Sequence, residues 1–377
     1  MGKELTPEFV IQWTRFMTGI IFTWPPRSKT TRLTEIIFET CWWISLIVIV
    51  AGTVPLFSTA YKHRTSFNKF TESVSLAFCL IQTLVLVIIA KHHSRRFQYI
   101  IDEMETFVKN ANSYEREVLT NNVEVVTPFY FRYNILCLTA TLAYTCGPFV
   151  MDQPFPNIAE YPFPVDKHPL YDMILILEVI NGVQCCCTGG FICQLSLLLW
   201  YGTIQLRILS DKIEKVSDSE GLENCISIHQ YILWYIEQII EIVQPVIAVI
   251  IAIATISIVC GAIQIVGNAI LLKKIQLASI LIASGFELLS VAWAAENLTA
   301  ASEGVSWALY NLSWTQNSKK LNGAIIFMIQ RCQNPPKIAI GGLMPTLFME
   351  YYAKYISAIY SFFTTPRVML QKFEQNQ

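Results

Sequence analysis

The chain has 377 residues and a net charge of −1; 53% of its residues are hydrophobic and only 15% are charged, with a mean hydropathy of +0.44. A soluble chain carries about 25% charged residues, so the shortfall excludes an ordinary soluble core and points to a bilayer as solvent, where lipid-facing positions must be apolar as well. The near-zero charge excludes a nucleic-acid partner held by a basic field.

In chain order, residues 1–31 are interrupted by Lys3, Glu4, Arg15 and Arg27 and lack the clean apolar stretch ending in small residues of a cleavable signal peptide. Met1-Gly2 with Thr6 fits only the loose N-acylation pattern, and an acyl chain adds little to a polytopic protein. Stretches free of Asp, Glu, Lys and Arg then appear at the length a spanning helix needs, about 20 residues. They are Thr40–Tyr61, Ser73–Ala90, Tyr133–Met151, Val179–Leu206 (extended upstream through Met173–Leu177 across Glu178) and Ile242–Leu272. Ile275–Ala295, broken by Glu287, and Ile338–Thr365, broken by Glu350 and Lys354, bring the expected spans to seven. The predicted fold class is an all-α integral membrane protein forming one domain over 1–377. Its parts are an N-terminal segment 1–35, spans one to six over 36–295, an anchor region 296–335 and a pore-lining seventh span over 336–365.

Orientation follows from Lys and Arg in the connecting segments. With the N-terminus cytoplasmic, segments 1–35, 91–123, 202–240 and 295–335 carry 16 Lys and Arg, against 8 on the other side. Seven crossings then place the C-terminus outside, the reverse of a G-protein-coupled receptor. Neither Asp-Arg-Tyr after the third span nor Asn-Pro-x-x-Tyr at the end of the seventh is present. The sequons at Asn297 and Asn311 fall in a predicted cytoplasmic segment and are expected to stay unmodified.

Between the spans, residues 147–170 hold six prolines, which rules out a long helix there. The segment is either a lid over the external mouth or a plain connector. Residues 91–123, with Phe97, Ile100, Ile101, Met104 and Val108, and 222–240, with Ile226, Leu233, Ile236 and Ile240, show helical apolar spacing and read as helices continuing the spans. A further helix is expected over 318–332, capped by Ser318 and stopped by Pro335-Pro336, with a membrane helix beginning near Lys337.

Chemical signatures are sparse. There is no His-Glu-x-x-His, Gly-x-Ser-x-Gly or Walker sequence, so no enzyme is expected. The eleven cysteines show no zinc spacing, and Cys185-Cys186-Cys187 reads as small hydrophobes in a helix; neither metal nor cofactor is expected. No internal repeat or pair of broken helices suggests a transporter. Ionisable residues within membrane segments are functional candidates by default. Glu178 and Glu287 face either a cavity or a helix contact. Glu350 and Lys354, at i and i+4, either neutralise one another or mark a water-facing helix.

The C-terminal stretch Trp307-Ala308-Leu309-Tyr310-Asn311-Leu312-Ser313-Trp314, followed by Ala358-Ile359-Tyr360-Ser361-Phe362-Phe363-Thr364, resembles the signature of the insect odorant receptor family. Gustatory receptors of the same superfamily end in a Thr-Tyr, apolar run, Gln-Phe pattern. Here Tyr360-Ser361 and Arg367-Val368 stand at those places, which favours the odorant branch and leaves a gustatory-type channel as the first alternative and a membrane transporter as the second. The short segment 202–240, where the family's co-receptor has a long insertion, resembles a ligand-tuning subunit.

The resemblance implies a heterotetrameric, ligand-gated, non-selective cation channel assembled with the co-receptor subunit in the plasma membrane of olfactory-neuron dendrites. The occupants it implies are a small volatile ligand, permeant cations and surrounding lipid. It puts the ligand in the outer halves of spans two, three, four and six, at Val74, Ala77 and Phe78; Thr141 and Tyr144; Met173, Leu177 and Ile180; and Leu277, Ile280 and Leu281. It puts the pore along Ser357, Ser361, Thr364, Arg367 and Val368. Thr364 departs from the apolar gate residue common there. Four copies of Arg367 would repel cations, which favours mixed tetramers.

Overall fold

The structure, a computed structural model, describes residues 6–26, 30–150, 154–165, 167–216, 218–266, 271–312, 319–339 and 345–361. Ten helices follow in order: α1 (Pro7–Ile20), α2 (Arg32–Lys62), α3 (Phe67–His92), α4 (Ser94–Asn110), α5 (Ser113–Thr145), α6 (Gly147–Val150), α7 (Leu170–Glu214), α8 (Ser219–Val266), α9 (Leu271–Tyr310) and α10 (Lys319–Cys332). An eleventh, α11, runs over the described residues 349–361.

Local chemistry sets several boundaries. Thr6 caps α1 by accepting from the Phe9 N–H at 3.3 Å, with Pro7 at the first helical position where its missing donor costs nothing. Asn112 and Glu115 form a reciprocal capping box at the start of α5. α7 and α8, of 45 and 48 residues, extend roughly 70 Å at about 1.5 Å per residue. That is more than twice a hydrocarbon core of about 30 Å, so both continue well beyond it, as the apolar spacing in 222–240 predicts.

Among the described residues, α2, α3, α7, α8 and α9 contain the five stretches long and apolar enough to cross a membrane. The third expected span lies in α5, which carries Glu124 and Arg132 and ends at Thr145, short of the predicted Met151. The seventh also differs. Residues 335–339 and 345–347 are not helical; the Leu347 N–H donates to the Ile338 carbonyl at 2.8 Å, and α11 begins at 349 rather than near Lys337. Two causes combine: Pro345 has no N–H to give a helix, and Glu296 of α9 caps the new start by accepting from the Met349 N–H at 2.8 Å. The N-terminal segment contains α1, which no periodicity in the sequence reading had marked.

α7 is the hub, packing against α9, α5, α8, α1, α2 and α3. Small residues permit this. A Cβ on Gly190 would come within 2.7 Å of Met17 on α1, and one on Gly189 within 2.7 Å of the Tyr133 hydroxyl on α5. The expected stripe Phe97, Ile100, Ile101, Met104 and Val108 is fully buried, tying α4 into the core. Arg331 of α10 pairs with Glu237 of α8 at 3.1 Å at the same end. The outer face of α2 presents Ile36, Trp43, Ile47 and Val54. An apolar surface of that extent suits lipid, not water.

Candidate ligand cavity

A cavity of 140 Å³ lies between α3, α5, α7 and α9, with Leu56 of α2 at its side. α3 contributes Leu76, Cys79, Leu80, Gln82 and Thr83; α5 contributes Cys137, Ala140, Thr141 and Tyr144. α7 lines it with Asn181, Gly182, Cys185, Cys186 and Thr188, and α9 with Ile280, Ala283, Ser284 and Glu287. The wall is mostly apolar with a few polar groups, the composition of a small-molecule site. A larger depression of 590 Å³ at the other end of α2 and α3 is lined by Arg32, Glu35, Glu39, Lys91 and Arg95, the wrong chemistry for an apolar occupant.

Two buried carboxyl groups stand beside the cavity. Glu287 accepts from Gln82 Nε2 at 2.8 Å and from the Tyr133 hydroxyl at 3.3 Å. Glu178 accepts from the Tyr144 hydroxyl at 2.9 Å, the Tyr161 hydroxyl at 2.7 Å and Asn157 Nδ2. Thr83 and Thr188 bridge α3 and α7 through hydroxyls 3.0 Å apart.

The proline-rich segment closes this end. Phe155, Asn157 and Ala159 are buried, and Phe155 stacks on Tyr171 with ring centroids 5.3 Å apart. The Asn157 side chain takes the Ala159 N–H at 2.8 Å while its amide donates to Glu178. The Glu160 N–H donates to Thr59 Oγ1 at 2.7 Å, and the Glu160 carboxylate meets His63 and Lys62 at the end of α2. The hydrogen bond from His63 holds the Glu160 carboxyl below its ordinary value of 4.5. Residues 154–161 are thus a lid pinned at both ends, not a loose connector.

Of the expected pocket residues, Thr141, Tyr144 and Ile280 line the cavity. Ala77 is buried between α2 and α3 in a cluster with Ile49, Leu56 and Leu80, and Phe78 meets Phe57 with centroids 6.3 Å apart. Val74 is half-buried and does not line the cavity. Met173 and Ile180 are exposed on the outside of the bundle, and Leu177 is half-buried, so that face of α7 points away from the cavity. Leu281 turns toward Gly261 of α8. The Leu277 side chain lies outside the described residues. Ser357 and Ser361 are exposed on α11, whereas Thr364, Arg367 and Val368 lie outside the described residues. Glu350 and Lys354 pair at 2.6 Å with both side chains exposed.

A lidded helical bundle with five helices apolar enough to cross a membrane and a small, mostly apolar cavity between its helices is a polytopic membrane protein. The family profile described as "7tm Odorant receptor" matches residues 66–360, and the chain belongs to that family, one of receptors rather than enzymes. Over 216 residues it is 20% identical to Odorant receptor Or2 of Anopheles gambiae, covering 53% of this chain and 57% of that relative, so just over half of the relative's length is matched. Its fold is that of the insect olfactory receptor OR5 from Machilis hrabei. Structures of that receptor alone and in complex with eugenol each match with a TM-score of 0.80 and 14% identity, over 96% of this chain and 98% of theirs.

Proposed function

We propose that this chain is the odorant-binding subunit of a heterotetrameric, ligand-gated, non-selective cation channel. In this reading it assembles with a co-receptor subunit in the plasma membrane of olfactory-neuron dendrites, with its N-terminus cytoplasmic. The observation that carries the reading is the cavity between α3, α5, α7 and α9. Its 140 Å³ is close to the roughly 150 Å³ that accepts benzene in an apolar protein interior, which sets the ligand's size near one ring. The Machilis receptor of the same fold was solved with eugenol, which supports a small organic ligand here.

Two features support conduction along α11. Glu350, Lys354, Ser357 and Ser361 recur at 4-3-4 spacing and are all exposed, a polar stripe on one helix face. On the opposite side, a Cβ on Gly285 of α9 would lie 3.9 Å from Ile356 and 4.0 Å from the Tyr352 hydroxyl. α9 therefore touches the cavity through Ala283, Ser284 and Glu287 and supports α11 through Gly285. A ligand that fits the cavity better when α9 is displaced favours the state in which α11 moves and the pore dilates; the coupling is that difference in affinity.

Co-expression with an odorant receptor co-receptor, under a panel of volatiles, tests the proposal. Volatile-evoked cation current is expected from the pair and not from either chain alone. Current from this chain alone would favour the gustatory-type alternative, and silence of the surface-expressed pair across the panel would contradict both.

A further inference from the structure

The polar groups of the cavity wall are unbalanced. Their hydroxyl protons are committed: Thr83 and Thr188 share two protons between the bond that joins them and the main-chain oxygens of their own helices, Thr141 donates to the Gly182 carbonyl at 3.4 Å, Ser284 donates to the Ile280 carbonyl at 3.1 Å, and Tyr144 donates to Glu178. Acceptor capacity is not. Glu287 receives one donor at each oxygen, Gln82 at one and Tyr133 at the other, whereas a carboxylate offers about four lone-pair sites. Asn181 is 1% exposed and lines the same cavity. Its amide nitrogen is lodged against Gly52, 2.1 Å from where a Cβ would stand, and neither that nitrogen nor the side-chain oxygen has a hydrogen-bond partner among the described residues.

Glu178 shows what a structural carboxyl looks like in this bundle: three side-chain donors surround it and it holds the lid. Glu287 has fewer partners, holds no loop, and faces the cavity. A carboxyl buried so deep is costly where an apolar residue would serve packing as well.

The geometry points to a ligand that donates: a molecule about the size of one six-membered ring, carrying a single hydroxyl or amine that hydrogen-bonds to Glu287. The inference rests on the cavity being the odorant site, and it adds the chemical class. A carbonyl or ether of the same shape brings a lone pair toward a carboxyl already rich in them, and a hydrocarbon leaves the unfilled acceptors of Glu287 and Asn181 as they are. Both bind more weakly than the donor.

The test uses the purified receptor assembly and four matched probes: cyclohexanol, cyclohexylamine, cyclohexanone and methylcyclohexane. Apparent affinities are read from the ligand-dependent rise in melting temperature. At least one of the two donor probes is expected to bind about tenfold or more tightly than both the ketone and the hydrocarbon, the scale of one buried hydrogen bond. The tighter of cyclohexanol and cyclohexylamine assigns the head group as hydroxyl or amine. Glu287→Met should level the preference while methylcyclohexane still binds. Glu287→Gln, which keeps an acceptor oxygen, should retain preference for the alcohol and lose any for the amine, and it decides the matter should the Met variant fail to fold. Equal binding of all four probes, no binding by any, a ketone preference, or a donor preference that survives Glu287→Met overturns the inference. Donor preference without evoked current from the co-expressed pair leaves the inference standing and sinks the channel reading; current without donor preference does the reverse.

Discussion

Replacing Asn157 by Leu, similar in size but apolar, should loosen the lid without disturbing the helices. The Asn157 side chain makes three bonds that Leu cannot: its amide donates to the fully buried Glu178 and to the Tyr144 hydroxyl at 3.2 Å, and its carbonyl accepts from the Ala159 N–H at 2.8 Å. A hydrogen bond contributes about 0.5–1.5 kcal/mol, and a buried N–H left unpaired costs about 1–3 kcal/mol. Allowing for overlap among these, the lid should lose about 3 kcal/mol of closing free energy, roughly a hundredfold in the closed-to-open ratio. Hydrogen exchange followed by mass spectrometry reads this directly, because the Ala159 and Glu160 amides are held only while the lid is down. Protection over 154–161 should fall by about that factor while the amides of α7 beneath it stay unchanged. Thr59→Val removes one bond to the lid, that to the Glu160 N–H at 2.7 Å, along with the Thr59 hydroxyl's bond to the Pro55 carbonyl within α2, and should lower protection by nearer tenfold. Unchanged protection in Asn157→Leu would refute the account of the lid.

Other outcomes follow from the same contacts. Gly52→Ala puts a methyl 2.1 Å from the Asn181 amide nitrogen and should lower stability by about 1–3 kcal/mol as α2 and α7 are forced apart, seen as a lower melting temperature of the purified protein. The lid should also weaken in acid. The Glu160 carboxyl is held below 4.5 by His63, so its contribution is present above that pH and lost as pH falls through the lowered value. The pair is partly exposed, so the effect is at most about 0.5 kcal/mol, measurable as faster proteolysis of 154–165 near pH 4 that Glu160→Gln abolishes. Cysteines placed at Ser357 and Ser361, both exposed on α11, should react with aqueous thiol reagents in the assembled receptor and reduce its current; inertness at both positions would contradict the conducting role of that face.

Much of the bundle was legible because the bilayer imposes length and composition. Runs without Asp, Glu, Lys or Arg located α2, α3, α7 and α8, a run broken by Glu287 located α9, and apolar spacing found the buried faces of α4 and of the first half of α8. The start of α11 was not, because it depends on Glu296, 53 residues away in sequence, reaching the Met349 N–H. α1 was missed since its helix rests on a Thr6 cap and on packing against Gly190. Facing was the hardest property to read. Met173, Leu177 and Ile180 share a helix face, but a helix apolar all round gives no sign of which side meets lipid, since lipid and core are equally apolar. The useful signal was polar. Gln82, Thr83, Asn181, Thr188 and Glu287 sit within membrane segments and converge on the cavity, and following every such residue would have found the wall that the apolar candidates largely missed.

The central claim is that a molecule lodged between α3, α5, α7 and α9 opens the channel, and filling that space tests it most directly. Ala283→Phe places a ring in a 140 Å³ cavity, leaving no room for a second one. Paired with the co-receptor and present at the cell surface in normal amount, this variant should give no current to the volatile that opens the unaltered receptor. A concentration–response curve matching the unaltered receptor would show that the ligand binds elsewhere.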